Sequence, residues 1–342
     1  MTKTVLITGA SGFIGKHIVL QLLEAGYNVR GSVRNQAKAE EVRAAIKVHL
    51  KDQKSLAKRL SFVELDLTSD EGWDEALAGV DALLHTASPF PLAQPKDEDE
   101  LIRPAVDGTL RALNAAKAAG VCRVVLTSSV AAVYAQNPVP DEATYNEDNW
   151  TDLNSPAASA YVKSKTLAER AAWDFVNENP EIKLTTINPC LVLGPPLDTN
   201  IGSSMELVQR VMQGKDPALP ALCLEVVDVR DIAKMHVAAL SAPESEGKRV
   251  IGSSGDMWFR DMARLLKVAH PDRKITTRQA PNWFIRLYAL IDPAVGQIVA
   301  ILGKHLVTDN SRARSVLGIE FIAAEEATTA AADFLVENKL VD

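Results

Sequence analysis

The apolar run Val5-Leu6-Ile7 feeds directly into Gly9-Ala10-Ser11-Gly12-Phe13-Ile14-Gly15, and a helix-forming stretch follows. A run this short suits a buried strand, and the glycines let the backbone turn tightly before a helix begins. The unit then recurs. Short runs at 4–7, 28–33, 60–65, 82–85, 123–127 and 183–187 read as strands, and helical patterns lie between them at 15–24, 35–50, 74–78, 102–119 and 158–177. Strand and helix in strict alternation predict an α/β fold, a doubly wound parallel sheet with helices on both faces. Such strands are buried on both sides and should be continuously apolar, as Val5-Leu6-Ile7 and Val124-Val125-Leu126 are.

After Pro189 the rhythm loosens. Gly194-Pro195-Pro196, Asn200-Ile201-Gly202-Ser203-Ser204 and Pro217-Ala218-Leu219-Pro220 punctuate the chain as loops. We therefore expect a first domain over 1–190, and a smaller C-terminal substrate-binding region over 191–342 interleaved with it. Segments 223–229 and 249–252 read as short strands returning to the first sheet. No internal repeat is visible. The cluster Lys96-Asp97-Glu98-Asp99-Glu100 reads as a solvated loop and helix start, and Trp258 and Trp283 read as packing.

Composition removes several function classes. The net charge is -7, and no Lys/Arg block stands apart from nearby acids, so a nucleic-acid partner is not expected. Cys122, Cys190 and Cys223 are far apart with no Cys-x-x-Cys pair. They read as small buried thiols, with no metal site. Met1-Thr2-Lys3 leaves no room for a signal peptide before the first strand, and the apolar stretch 283–302 is broken by Arg286, Asp292 and Pro293. No membrane partner is expected, and the expected location is cytoplasmic.

The glycine turn sits where a strand becomes a helix. Glycine lets the backbone approach a pyrophosphate, and the helix start offers free N–H donors and a partial positive charge. Its spacing is Gly9-x-x-Gly12-x-x-Gly15, and Ser11, Phe13 and Ile14 complete the expected cradle. The end of the second strand selects the cofactor, because an acid there bonds a ribose 2′-hydroxyl whereas an arginine receives a 2′-phosphate. Here the strand ends Gly31-Ser32-Val33-Arg34, with Lys38 four residues on and no acid until Glu40. NADP(H) is the expected cofactor. Asp66 and Leu67 close the third strand where the adenine would lie, and Thr86, Ala87 and Ser88 close the fourth beside the cofactor track. His85 reads as a core histidine.

Tyr161-Val162-Lys163-Ser164-Lys165 places a phenol and an ammonium four residues apart, on one helix face. A nearby cation favours the ionised phenol, which makes Tyr161 a candidate proton donor tuned by Lys165. Thr127-Ser128-Ser129 ends a strand about thirty residues earlier. A serine there can hold a substrate oxygen beside the phenol.

These motifs, with Asn188-Pro189-x-x-Val192-x-Gly194-Pro195, occur in the order of the extended short-chain dehydrogenases/reductases, which the chain resembles over nearly its whole length. Ser32-Val33-Arg34, Thr86-Ala87-Ser88-Pro89-Phe90, Val227-Asp228-Val229-Arg230-Asp231-Ile232-Ala233 and Asp309-Asn310-Ser311 are similar to signatures of the dihydroflavonol reductase, cinnamoyl-CoA reductase and yeast methylglyoxal reductase branch. The resemblance implies a Rossmann fold and an NADPH-dependent carbonyl reductase acting on an aldehyde or ketone. It implies Ser129 as the oxygen-holding serine, with Ser128 as the alternative, Tyr161 as acid and Lys165 as its tuning partner and ribose ligand. Thr127, Pro189 and Leu191 would flank the nicotinamide. Phe90, Ser129, Tyr134 and Met205 are substrate candidates, with Cys190, Leu191 and Leu207. Most are apolar, which favours a small or aromatic carbonyl over a sugar nucleotide. Rival expectations are an NAD-dependent nucleotide-sugar epimerase or dehydratase and a non-catalytic NADP-sensing protein. A monomer or homodimer is expected.

Overall fold

Twelve strands form in the computed structural model, which describes residues 2–88 and 97–341. They are β1 (Thr4–Thr8), β2 (Asn28–Val33), β3 (Leu60–Glu64), β4 (Ala82–His85), β5 (Arg123–Thr127), β6 (Glu142–Tyr145), β7 (Lys183–Pro189), β8 (Leu191–Leu193), β9 (Cys223–Asp228), β10 (Lys248–Gly252), β11 (Gly255–Trp258) and β12 (His305–Thr308). Seven of them make one sheet in the order β10-β7-β5-β4-β1-β2-β3, every pairing parallel. The chain builds outward from β1 through β2 to β3, then returns to the other side of β1 with β4. The direction reverses between β1 and β4, where the carboxyl ends leave a crevice.

Eight helices among the described residues have ten residues or more: α1 (Phe13–Glu24), α2 (Gln36–His49), α3 (Asp99–Ala118), α4 (Ala160–Glu178), α5 (Ser203–Met212), α6 (Val229–Ala239), α7 (Phe259–Ala269) and α8 (Ala324–Glu337). Successive strand residues point to opposite faces, so one strand feeds two cores. Val5 and Ile7 join Ile18, Leu22, Val42 and Ile232 from α1, α2 and α6. Leu6 joins Leu83, Leu113, Val124 and Ala172 on the other face, with α3 and α4. A third core holds the C-terminal region together, where α5, α7 and α8 bury Met205, Val208, Met262, Leu266 and Leu335.

The two expected returning strands behave differently. Segment 249–252 does return, since β10 pairs with β7 at the sheet edge. Segment 223–229 does not. With that edge occupied by β10, β9 pairs parallel with β8 and antiparallel with β11 in a separate three-stranded sheet, and Val226 packs into the third core. A two-stranded sheet joins β6 and β12. Two smaller expectations also fail. Cys122 is exposed and the other two cysteines are only partly buried, while Trp283 is 67% exposed on the helix Asn282–Tyr288. No helix among the described residues is long and apolar enough to cross a membrane.

Candidate active site

Two cavities open at the carboxyl ends of β1 and β4 and meet at the glycine turn, where Gly9, Gly12, Thr86 and Ser88 line both. The larger, about 920 Å³, runs past Phe13, Ile14 and Gly15 to Ser129, Tyr134, Tyr161, Cys190 and Leu191. The smaller, about 340 Å³, takes in Ser11, Arg34, Lys38, Asp66, Leu67 and Ala87.

The glycines are needed by the turn itself. Gly9 has φ +70°, and a Cβ on Gly15 would lie 2.1 Å from the Gly9 carbonyl oxygen. Only glycine lets α1 start this close to β1. Gly12 precedes α1, no side chain caps the helix and no acid stands in its first turn. An uncapped, unscreened helix start bordering a cavity fits the pyrophosphate of a dinucleotide. Thr8 Oγ1 accepts from the N–H groups of Thr86 and Ala87 at 3.1 Å, which ties β4 to the turn.

At the far end of the smaller cavity Arg34 is exposed and makes no ion pair among the described residues. Lys38 Nζ is 2.7 Å from Glu41. Glu41 also accepts from the fully buried Lys16 at 2.8 Å, and Lys16 reaches across to Asp198 in the loop before α5. Burial alone would raise the Glu41 carboxyl, but hydrogen bonds from Lys16, Lys38 and Asn200 carry it down to about 2. Hydrogen bonds from the Thr68 backbone and hydroxyl hold the Asp66 carboxyl below its ordinary value. It is therefore a carboxylate near neutral pH.

At the other end Ser129 and Ser128 part company. Ser129 lines the larger cavity, accepts from the Ala131 N–H at 3.1 Å and is hydrogen-bonded to Tyr161. Ser128 turns into the core and donates to Glu169 Oε2 at 2.6 Å. Tyr161 and Lys165 share one face of α4, with Lys165 Nζ 5.9 Å from the centre of the Tyr161 ring. The expected lowering of the phenol is not what the protein alone shows. Burial raises the Tyr161 phenol, the Ser129 hydrogen bond pulls it partway back, and burial also lowers Lys165 to about 8. Tyr134, a second half-buried phenol in the same wall, is pushed up to about 12 by loss of hydration and is a neutral group near pH 7.

Several expected residues stand elsewhere. The Thr127 hydroxyl is 2.7 Å from His236 Nε2, and Thr127 lines neither cavity because its side chain faces α6. Pro189 is buried at the end of β7, and its successors Cys190, Leu191 and Val192 form the wall. Met205 is wholly buried in the third core, and Leu207 packs against the same core. Their neighbours Ser203, Ser204 and Glu206 face the cavity instead. Phe90 lies outside the described residues. Lys165 is partly buried and lines neither cavity.

Sequence reasoning missed the network that fixes α4. Glu169, fully buried one turn beyond Lys165, accepts from Ser128, from Thr186 at 2.9 Å, from Asn188 at 2.7 Å and from Arg249 Nε at 2.7 Å. It ties the helix carrying Tyr161 and Lys165 to β5, β7 and β10. The signal was the helical spacing, since Glu169 continues the Tyr161–Lys165 face by another four residues. Gln297, which also lines the larger cavity, belongs to no motif.

A doubly wound sheet with a glycine turn at its reversal point, and a serine and a tyrosine joined in the adjoining cleft, define the class of extended short-chain dehydrogenases/reductases. The chain belongs to the NAD dependent epimerase/dehydratase family, whose model matches residues 5–252. Among its relatives is cinnamoyl-CoA reductase 1 of Arabidopsis thaliana, 37% identical over 254 residues, which are 74% of this chain and 71% of that protein. The NADPH-dependent methylglyoxal reductase GRE2 of Saccharomyces cerevisiae is 33% identical over 336 residues, 93% of this chain and 94% of that protein. The crystal structure of yeast methylglyoxal/isovaleraldehyde reductase Gre2 complexed with NADPH superposes with a TM-score of 0.79 at 30% identity, covering 99% of this chain and 100% of that one.

Proposed function

We propose that this protein is an NADPH-dependent reductase of an aldehyde or ketone. The observation that carries the reading is the hydrogen-bonded pair Ser129 and Tyr161 in the wall of a cavity that meets one bordered by Arg34, which makes no ion pair among the described residues. Arg34 offers a 2′-phosphate a cation with no ion pair among the described residues, and Lys38 beside it adds a second that is shared with Glu41. This favours NADPH over NADH, and counts against nucleotide-sugar epimerisation with bound NAD. The turn from Gly9 to Gly15 would hold the pyrophosphate, and Asp66 and Leu67 would border the adenosine. Bound NADPH supplies a hydride to the carbonyl carbon.

The chain's own residues serve the carbonyl oxygen. Ser129 donates a hydrogen bond where negative charge develops, and the Tyr161 phenol donates the proton. Burial keeps the phenol protonated until then. The ammonium of Lys165, held without its full hydration, stabilises the phenolate left behind. Tyr134, Cys190 and Leu191 make the adjoining wall mostly apolar, which favours an uncharged, small or aromatic substrate.

The test is cofactor consumption over a panel of aldehydes, diketones, flavanonols and acyl-CoA esters, with NADPH and NADH in parallel. One strongly preferred carbonyl class with NADPH is expected. No oxidation of NADPH by any member would overturn the reading, as would tightly retained NAD with turnover of nucleotide sugars.

A further inference from the structure

Three side chains from three strands converge away from both cavities. The Cys223 thiol donates to Asp256 Oδ2 at 3.4 Å, and His305 Nε2 lies 2.9 Å from the same oxygen. All three donor atoms fall within 4.8 Å of one another. Cys223 opens β9, Asp256 lies on the antiparallel neighbour β11, and His305 opens β12. Trp258, opposite Cys223 in the β9–β11 register, stacks on the His305 ring at 6.2 Å and 27°, which fixes the plane of the imidazole.

We propose that Cys223, Asp256 and His305 bind one divalent cation of the zinc class, with water in the fourth position. Zinc bond lengths of about 2.0–2.3 Å set tetrahedral ligand atoms roughly 3.4–3.6 Å apart. The sulfur-to-oxygen distance already meets this, the nitrogen-to-oxygen distance must open by about half an ångström, and the sulfur and nitrogen, within 4.8 Å of each other, must settle to the same spacing as the ion binds. A thiolate with an imidazole selects zinc-like ions over magnesium or calcium, which prefer all-oxygen sites. The side chains of His305 and Asp256 are 40% and 36% exposed, leaving an entry path and room for the water. Glu225, two residues along β9 from Cys223, adds a partly buried carboxyl group on the same strand.

Binding releases the thiol proton and uses the neutral imidazole with its proton on Nδ1. The ion would clamp two sheets together, because β9 and β11 belong to the three-stranded sheet and β12 to the two-stranded one. At the other end of β12, Thr308 donates its N–H and hydroxyl to Glu225 at 2.8 and 2.7 Å, so the clamp completes a junction already made at one end.

The experiment uses the untagged full-length chain, stripped with a chelator and titrated with Co²⁺ and then Zn²⁺. The expected result is one Co²⁺ per chain with a thiolate-to-cobalt absorption band, displaced by Zn²⁺, and a Tm that rises with Zn²⁺ concentration. Cys223→Ser and His305→Gln should each remove the band or weaken binding at least about tenfold, since even partners outside a ligand set move metal affinity by about 10–100-fold. None of the three residues lines either of the two cavities at the glycine turn, so carbonyl reduction by the stripped variants should stay near that of the stripped parent, which also shows that they fold. No thiolate band in the parent, or an unchanged affinity in both variants, would overturn the proposal.

Discussion

Removing the charge of Glu169 should be among the most damaging single changes away from the cavity wall. In Glu169→Gln the side chain keeps its volume and one acceptor oxygen, but Arg249 is left as a cation only 7% exposed, 2.7 Å from a neutral amide. Arg249 still gives NH1 to the carbonyls of Glu147 at 2.8 Å and Asn149 at 2.6 Å, and its guanidinium stays 3.8 Å from the Trp150 ring centre. Those dipoles solvate the charge without neutralising it. Breaking a buried pair in this way costs about 3–5 kcal/mol. Arg249→Met should cost a similar amount, because it leaves a fully buried carboxylate with only neutral donors. The double variant Glu169→Gln/Arg249→Met removes both charges and should lose clearly less than the sum, with a coupling of about 2 kcal/mol or more. Urea unfolding of all four proteins measures this as shifts of midpoint at constant m-value. If each single variant loses less than about 1 kcal/mol, the pair behaves as an exposed one and the reasoning fails.

Three further outcomes follow from the site. Tyr161→Phe should lower turnover about 10²- to 10⁴-fold while NADPH binding, read by fluorescence titration, is retained; near-native kcat on a confirmed substrate would remove Tyr161 as the proton donor. Arg34→Asp should weaken NADPH about tenfold or more and leave NADH little changed, because a charge-assisted hydrogen bond contributes about 1.5–3 kcal/mol; an unchanged NADPH/NADH ratio in steady-state kinetics contradicts the assignment. Burial lowers His17, His85 and His236 each to about 4. The unfolded chain therefore takes up protons that the folded one refuses between about pH 6.5 and 4. Stability from these groups is fully present above that window and is lost as pH falls through it, so Tm should drop across it and His236→Gln should flatten the drop. A Tm equally steep in parent and variant sinks that prediction.

Six of the seven parallel strands and the helices between them were legible because a strand buried on both faces must be apolar throughout, and a helix shows its face every three to four residues. β10 was legible as a strand, but nothing local could say that β9 would go elsewhere. Both are short and apolar at the same end, and their partners are chosen by which edge is already taken. The site followed the same division. Gly9, Arg34 and Asp66 lie at or just past strand ends whose position the topology dictates, so the sequence alone brings them to one cavity. Ser128 and Ser129 follow directly on β5, and only one of the two faces the cavity. Which one depends on Glu169, forty-one residues away from Ser128. Met205 was misplaced through a one-residue uncertainty in helix phase, since Ser204 and Glu206 on either side of it face the cavity. The Tyr161 phenol was misjudged because burial is a property of the assembled cleft, whereas spacing reports only the partner.

Arg249, which neutralises Glu169 from the edge strand β10, is synthesised eighty residues after it. As the chain leaves the ribosome, α4 and the first six strands of the sheet are complete well before this counter-charge exists. Until then Glu169 is a carboxylate in an unfinished core, and the helix bearing Tyr161 and Lys165 has no ionic anchor to β10. The cleft can therefore acquire its final shape only when translation has passed the smaller region and delivered the edge strand. The order of synthesis makes assembly of the C-terminal region a precondition for a working site, which keeps a half-made chain from exposing a competent one.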